Sequence, residues 1–373
     1  MIRILFCIDT LSAGGAEKVL CNLVNNMDQD KFQITVQTTW LVDPSQYLVP
    51  GIQYRSVYPK ENKFYHLLYR LEAALGLVYP LHMKEDYDIE VAYLECGPTK
   101  ILAGSTNKKA LKLAWVHCDL QKKMSDIVSF QKKASQWYQK YHQIVCVSEG
   151  VRQSYMELFG SQPPSAVVYN TVDDGEISKK AQLTLPDVAQ KRKFTVVSLG
   201  RLTAQKSYDR LLQAHKHLMA DGFDYDLWIL GEGPERQTLE NCISEHNLGN
   251  SVTLFGFQSN PYPFLCEADL LVCSSRYEGF STFVTEGLIL GRPILTTNCT
   301  GMQELLGDSE WGLIVDNDVD GIYQGIKKLL GDKNLLTRYT EKSKLRGADF
   351  QARILASKTE AFLIQQLEEQ TSL

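Results

Sequence analysis

The sequence predicts an α/β protein made of two doubly wound, Rossmann-like domains in series. Three observations carry this. The chain has 373 residues, more than one ordinary core accommodates. Short apolar runs alternate with helical patterns, which implies parallel sheets covered on both faces. The alternation fades near residue 170 and restarts near residue 194.

Each element has its own justification. Ile2–Ile8 is apolar except for Arg3 and reads as the first strand. Residues 17–27 read as a helix with Val19, Leu20, Leu23 and Val24 on its inner face. Residues 32–38, 89–93, 113–116, 143–147 and 166–168 read as further strands of the first sheet. The stretch 171–192 is polar, with Asp173-Asp174-Gly175 and Lys191-Arg192-Lys193, and reads as a linker. Residues 194–199, 227–230, 252–254, 270–272, 293–296 and 312–315 then supply a second set of strands. The expected division is 1–180, 190–350 and a terminal segment 350–373. Two such domains facing each other across a cleft collect ligands at the carboxyl ends of their strands.

Composition narrows the function. With 44% hydrophobic and 22% charged residues this is an ordinary globular chain. The net charge of −5 argues against nucleic acid as a partner. Yet residues 100–133 carry eight Lys against only Asp119 and Asp126, so one face of the first half is basic. The nine cysteines include no CxxC pair and suit buried thiols in a reducing cytoplasm. The first apolar run is cut by Asp9, and no window approaches the ~20 apolar residues of a membrane span. No His/Cys/Asp cluster has metal-ligand spacing, and the Asp-x-Asp pairs lie in polar connections.

The candidate chemistry lies at strand exits. After the apolar run 268–272 comes Glu278-Gly279-Phe280-Ser281-Thr282-Phe283-Val284-Thr285-Glu286, whose second half, 283–290, reads as a helix. Amides at a helix start take an anion, and carboxylates accept hydrogen bonds from vicinal hydroxyls. A nucleotide sugar has both groups. Gly200-Arg201-Leu202 follows the strand 194–199, and Lys206 lies five residues after Arg201, so the turn offers two cations to a diphosphate. Gly231-Glu232-Gly233-Pro234 reads as a tight strand-to-helix turn. Ser12-Ala13-Gly14-Gly15-Ala16-Glu17 opens the first helix without the dinucleotide spacing, and its glycines admit a ligand to bare amides. His117 ends the strand 113–116.

Taken in order, these pieces, with Val147-Ser148-Glu149 and Asn170-Thr171-Val172-Asp173, resemble the retaining family-4 glycosyltransferases of GT-B fold, of the bacterial capsular or exopolysaccharide type. The resemblance covers nearly the whole chain and implies roles. Arg201 and Lys206 bind the donor diphosphate. Glu286 holds the ribose hydroxyls, and Glu278 lies beside the donor sugar as an electrostatic group. Amides of Gly279, Phe280, Ser281 and Thr282 meet sugar and phosphate. Gly256 and Phe257 hold the base, Gly15 lets its loop approach the pyrophosphate, and His117 contacts the donor sugar. It also implies closure of the cleft, no divalent metal or other cofactor, and front-side attack; UDP is the default donor nucleotide, ahead of GDP. Asn170-Thr171 departs from the family's Asn-Pro, which concerns only the turn. A nucleotide-sugar epimerase, a phosphorylase, or a catalytically silent GT-B partner subunit are the competing readings. The last is disfavoured because Arg201, Lys206, Glu278 and Glu286 are all present.

Two segments have helical apolar spacing: Phe64, Leu67, Leu68, Leu71, Leu75 and Val78, and Met124, Ile127, Val128, Ala134, Trp137, Tyr138 and Tyr141. Each is either a face buried on the first sheet or, with Lys122, Lys123, Lys132 and Lys133 near the second, part of a basic surface that rests on anionic lipid. The second option fits a cytoplasmic enzyme held at the inner face of the membrane and serving a lipid-linked glycan acceptor.

Overall fold

The computed structural model describes every residue except Ala13, Asp187, Val188, Gln190 and Leu373. Ala13 of the first glycine segment, and three residues of the stretch read as a linker, therefore lie outside the described residues. The chain divides into two units, Met1–Thr171 with Ala352–Leu373, and Val172–Gln351.

The first unit holds seven strands: β1 (Ile2–Ile8), β2 (Phe32–Trp40), β3 (Gln53–Tyr58), β4 (Ile89–Ala92), β5 (Leu111–Val116), β6 (Gln143–Cys146) and β7 (Ser165–Val167). Their order is β3-β2-β1-β4-β5-β6-β7, with every pairing parallel. Ile4 to Ile8 are fully buried, as a central parallel strand requires. The strand order reverses between β1 and β4, where Ile4 lies opposite Ile89. The strand β3 has no counterpart in the sequence reading. Its first four residues, Gln53 to Ser56, include three polar side chains, and as an edge strand it buries only Val57 and Tyr58. The terminal helix Ala352–Thr371 packs on the helix Gly15–Asn26, and its buried Glu360 accepts the Asp28 N–H at 2.7 Å.

The second unit holds β8 (Thr195–Leu199), β9 (Asp226–Leu230), β10 (Val252–Gly256), β11 (Leu270–Cys273), β12 (Ile294–Thr297) and β13 (Leu313–Val315), in the order β10-β9-β8-β11-β12-β13. Again all are parallel, and the order reverses between β8 and β11. Its core gathers Val196, Leu211, Leu227, Ile229, Leu270 and Leu295. A register shift between Leu254 and Gly256 explains why the apolar signal for β10 stops early. The stretch read as a linker contains a helix, Asp174–Ala181. Asp173 caps it by accepting the Glu176 N–H at 2.7 Å, and Ile177 is buried. Its charges are thus a cap and a solvated face. All nine cysteines are free thiols.

Candidate functional site

In the second unit the site forms where β8 and β11 end side by side, at the point of strand-order reversal. The loop after β8 delivers Arg201 and Lys206, and the loop after β11 delivers Ser275 and Glu278. Lys206 Nζ donates to Glu278 Oε1 at 2.6 Å across a sequence separation of 72, and Ser275 Oγ donates to the same oxygen at 2.6 Å. Only 21% of the lysine side chain and 9% of the glutamate side chain are exposed. Burial works against the lysine's charge, but the Glu278 carboxylate outweighs it and holds the ammonium above its ordinary pKa. Arg201 is exposed and has no ion pair among the described residues.

The helix after β11 runs Thr282–Ile289. Ser281 is its cap, and its Oγ accepts the Val284 N–H at 3.4 Å. Phe280 turns its ring into the core, 6.2 Å from Phe350. These two side chains are therefore committed to structure, and at Phe280 and Ser281 it is the backbone that can meet a ligand. Glu286 is buried on the same helix and accepts from Tyr262 Oη at 3.3 Å. The Gly256 carbonyl is engaged by the Gly231 N–H at 2.8 Å, whereas Phe257 is 65% exposed.

In the first unit a second polar cluster sits at the exits of β4 and β5. Buried Glu95 accepts from Lys123 Nζ at 2.6 Å, Cys118 Sγ at 3.0 Å and the His117 N–H at 3.1 Å. Burial would raise the Glu95 pKa, but Lys123 and then His117 pull it down to about 2. Burial lowers the His117 pKa to about 4, so the imidazole is neutral near pH 7. Its buried Nε2 has no hydrogen-bond partner among the described residues. Gly15 opens the helix after β1, and a Cβ placed there would meet nothing within 4 Å, so the fold itself does not demand a glycine.

Beside this cluster an open pocket of ≈ 350 Å³ is lined by Asp9, Thr10, Trp40, Glu61, His66 and Tyr69, among others. The Trp40 ring lies 4.5 Å from His66 and 6.1 Å from Tyr69. Burial raises the Asp9 pKa, with partial relief from Thr39 Oγ1 at 3.1 Å. Sequence reasoning missed Asp9, Trp40, Glu95, Lys123 and Ser275. The signal for Asp9 was present, since it is a carboxylate directly after the buried apolar stretch Ile4 to Ile8 of β1, whereas Glu95 lies three residues beyond the end of β4.

His117 and His215, both lowered to about 4, give a pH prediction. Between pH 4 and their ordinary 6.5 the unfolded chain binds more protons than the folded one. Stability is therefore full above pH 6.5 and declines as the pH falls through that window, by about 1.4 kcal/mol per unit for each imidazole. His117→Phe is expected to remove about half of this acid-side slope in thermal unfolding, and an unchanged slope refutes the assignment.

Residues 186–346 match the family described as Glycosyl transferases group 1, and residues 13–176 match Glycosyltransferase Family 4. A curated relative from Campylobacter jejuni, an N-acetylgalactosamine-N,N'-diacetylbacillosaminyl-diphospho-undecaprenol 4-alpha-N-acetylgalactosaminyltransferase, is 30% identical over 358 residues, 92% of this chain and 94% of its own. The chain belongs to the family-4 glycosyltransferases. The lipopolysaccharide core biosynthesis glycosyltransferase LpsE of Rhizobium meliloti is 30% identical over 202 residues, 53% of this chain and 57% of its own. The transferase has the GT-B fold. HepE of Anabaena, solved in complex with UDP and glucose, superposes with a TM-score of 0.76 at 17% identity, covering 97% of this chain and 99% of that one. The lipopolysaccharide outer core galactosyltransferase WaaB superposes at 0.70 and 16% identity over 98% and 100%. This glycosyltransferase is thus an enzyme that acts on sugars.

Proposed function

We propose that this glycosyltransferase moves a hexose or N-acetylhexosamine from a UDP-sugar, with retention of configuration, to a saccharide or polyprenyl-diphosphate-linked glycan in cell-surface polysaccharide synthesis. The observation that carries the donor half is the Lys206–Glu278 pair at the β8/β11 switch point. It sets a cation suited to a departing phosphate beside a carboxylate suited to an electron-poor anomeric carbon. Arg201 adds a fork for the diphosphate, and the backbone entering the Thr282–Ile289 helix adds amides aimed at anionic oxygens. Glu286 accepts from ribose hydroxyls, and the exposed ring of Phe257 stacks on the base.

Both donors to Glu278 end on one oxygen and stabilise the anion, which makes it a weak nucleophile. Front-side attack by the acceptor hydroxyl, with Glu278 acting through its charge, fits this better than a covalent glycosyl-enzyme. The charge balance at the diphosphate comes from Arg201 and Lys206, so the reaction is proposed to run without a divalent metal or other cofactor. UDP is favoured because HepE carries it. The lipid-linked acceptor is favoured by the name of the Campylobacter relative. Such an acceptor would place the enzyme in the cytoplasm at the inner face of the membrane. In the first unit the neutral His117 has a free Nε2 for a sugar hydroxyl, and the open space beside Gly15 admits a ligand to its backbone.

A thermal-shift panel of UDP, GDP, ADP and dTDP, each with and without EDTA, tests this. UDP alone is expected to raise the melting temperature, equally with the chelator, and UDP-sugars are then expected to support transfer. A shift from no nucleotide, or only with metal, overturns it.

A further inference from the structure

We propose that the helix Lys63–Leu75 docks this enzyme on an anionic lipid bilayer through an apolar stripe that none of the described residues covers. Phe64, Leu67, Leu71 and Leu75 recur at helical spacing and are 66%, 58%, 55% and 72% exposed. The short helix Val78–His82 follows directly, and Leu77 and Leu81, 39% and 49% exposed, extend the surface. Four neighbouring large side chains at this exposure form a patch of the kind that soluble monomers rarely leave open. In the second apolar segment of the sequence Ala134, Tyr138 and Tyr141 are buried against the first unit, and Val128 is the one large apolar side chain left exposed, at 73%.

Charge selects the occupant. Lys63 and Arg70 flank Leu67 at helical neighbour spacing, and Lys60 and Lys84 lie at the two ends; all four are exposed. Of the acids nearby, Glu85 pairs with Arg55 and Glu72 is half-buried against Tyr58 and His82, which leaves Glu61 and Asp86 as exposed acids against these four cations. An apolar stripe edged with cations matches a surface of acyl chains beneath anionic headgroups. A second copy of the chain would instead bring two cationic rims together. At 13 residues the helix lies in the interface rather than spanning it, and among the described residues no helix is long and apolar enough to cross a membrane.

The helix is also fixed at the angle docking needs. Asn62 Oδ1 accepts the Tyr65 N–H at 2.9 Å, and Gly76 closes the other end in a left-handed turn. Glu72 is held by Tyr58 Oη at 2.6 Å and His82 Nε2 at 2.8 Å. The opposite face carries His66 and Tyr69 into the pocket with Asp9 and Trp40. One helix thus bears the bilayer contact on one side and a pocket wall on the other, so docking would present that pocket to a sugar borne on a lipid. This last step rests on the lipid-linked acceptor reading, whereas the docking itself does not.

The test is co-sedimentation of the full-length protein, without any sugar substrate, with vesicles of phosphatidylcholine containing about one-third phosphatidylglycerol. Binding is expected, weakening with salt as screening grows. The quadruple variant Phe64→Ser, Leu67→Ser, Leu71→Ser, Leu75→Ser is expected to lose it by at least about tenfold while keeping its melting temperature, since these side chains support no core. Lys63→Gln with Arg70→Gln is expected to weaken binding and flatten the salt dependence. No binding by the parent protein, equal binding to pure phosphatidylcholine, or full binding by the quadruple variant overturns the proposal. So does a parent dimer that the serine substitutions dissociate, which would make the stripe a self-interface. Vesicle binding alongside no response to any nucleotide supports docking and removes the donor reading instead.

Discussion

Lys206→Met is expected to lower kcat/KM for transfer by about 10²–10³, the cost of losing one preorganised group at a developing anion. It is also expected to abolish most of the thermal shift caused by the nucleotide. Stability falls as well, because Glu278 loses its counter-charge inside a loop where only 9% of its side chain meets water. Complete burial would make this loss about 3–5 kcal/mol; with the lysine 21% exposed, about 2 is the better expectation. Glu278→Gln reverses the imbalance: Ser275 and Lys206 lose the anion that both bonds address. Combining the two substitutions separates structure from chemistry. The double variant is expected to regain much of the melting temperature, since no unpaired charge remains, and to stay as inactive as the worse single variant. Transfer within a few-fold of the parent in either single variant removes the pair from the mechanism. Additive losses of stability in the double variant would mean that the two side chains do not act as partners.

The pair also shows what the sequence could and could not tell. Lys206 and Glu278 were each legible, because each follows an apolar run that could only be a buried strand. Their bond was not, because strand order brings β8 beside β11 while the sequence separates the two residues by 72 positions. The same holds for Glu95 and Lys123, which are 28 apart and have no local motif. The central strands were readable from continuous hydrophobicity. The edge strand β3 was not, since its outer face is wet. The polar stretch after residue 171 misled for a related reason: the Asp residues that suggested a linker include the cap of the helix Asp174–Ala181. The stripe from Phe64 to Leu75 had the period of a buried face, and periodicity alone does not say whether core or solvent lies opposite.

Gly231→Ala is expected to cost about 3 kcal/mol or more and to lower the melting temperature of the second unit by ~10 °C. Two terms add. Gly231 has a φ of +139°, which an L side chain rarely adopts, and a Cβ there would sit 2.0 Å from the Gly200 carbonyl oxygen. That oxygen cannot yield alone, because the loops after β8, β9 and β10 are laced together. Gly200 N–H donates to the Leu230 carbonyl at 3.0 Å, Leu202 N–H to Glu232 at 2.9 Å, and Gly231 N–H to Gly256 at 2.8 Å. Moving Gly200 also moves Arg201, so nucleotide binding should fail even at temperatures where the unit is still folded. Two other glycines separate the terms. Gly222 has a φ of +85° with nothing near its Cβ position, so alanine there should cost only the backbone strain, about 1 kcal/mol. Gly249 has neither feature, and its alanine variant should melt with the parent. A ranking of Gly231, Gly222 and Gly249 in that order of loss, with nucleotide response missing only in the first, would assign the turn after β9 a direct part in holding the Arg201 loop. Equal losses at Gly231 and Gly222 would assign the whole cost to backbone strain and leave the Arg201 loop free of that turn.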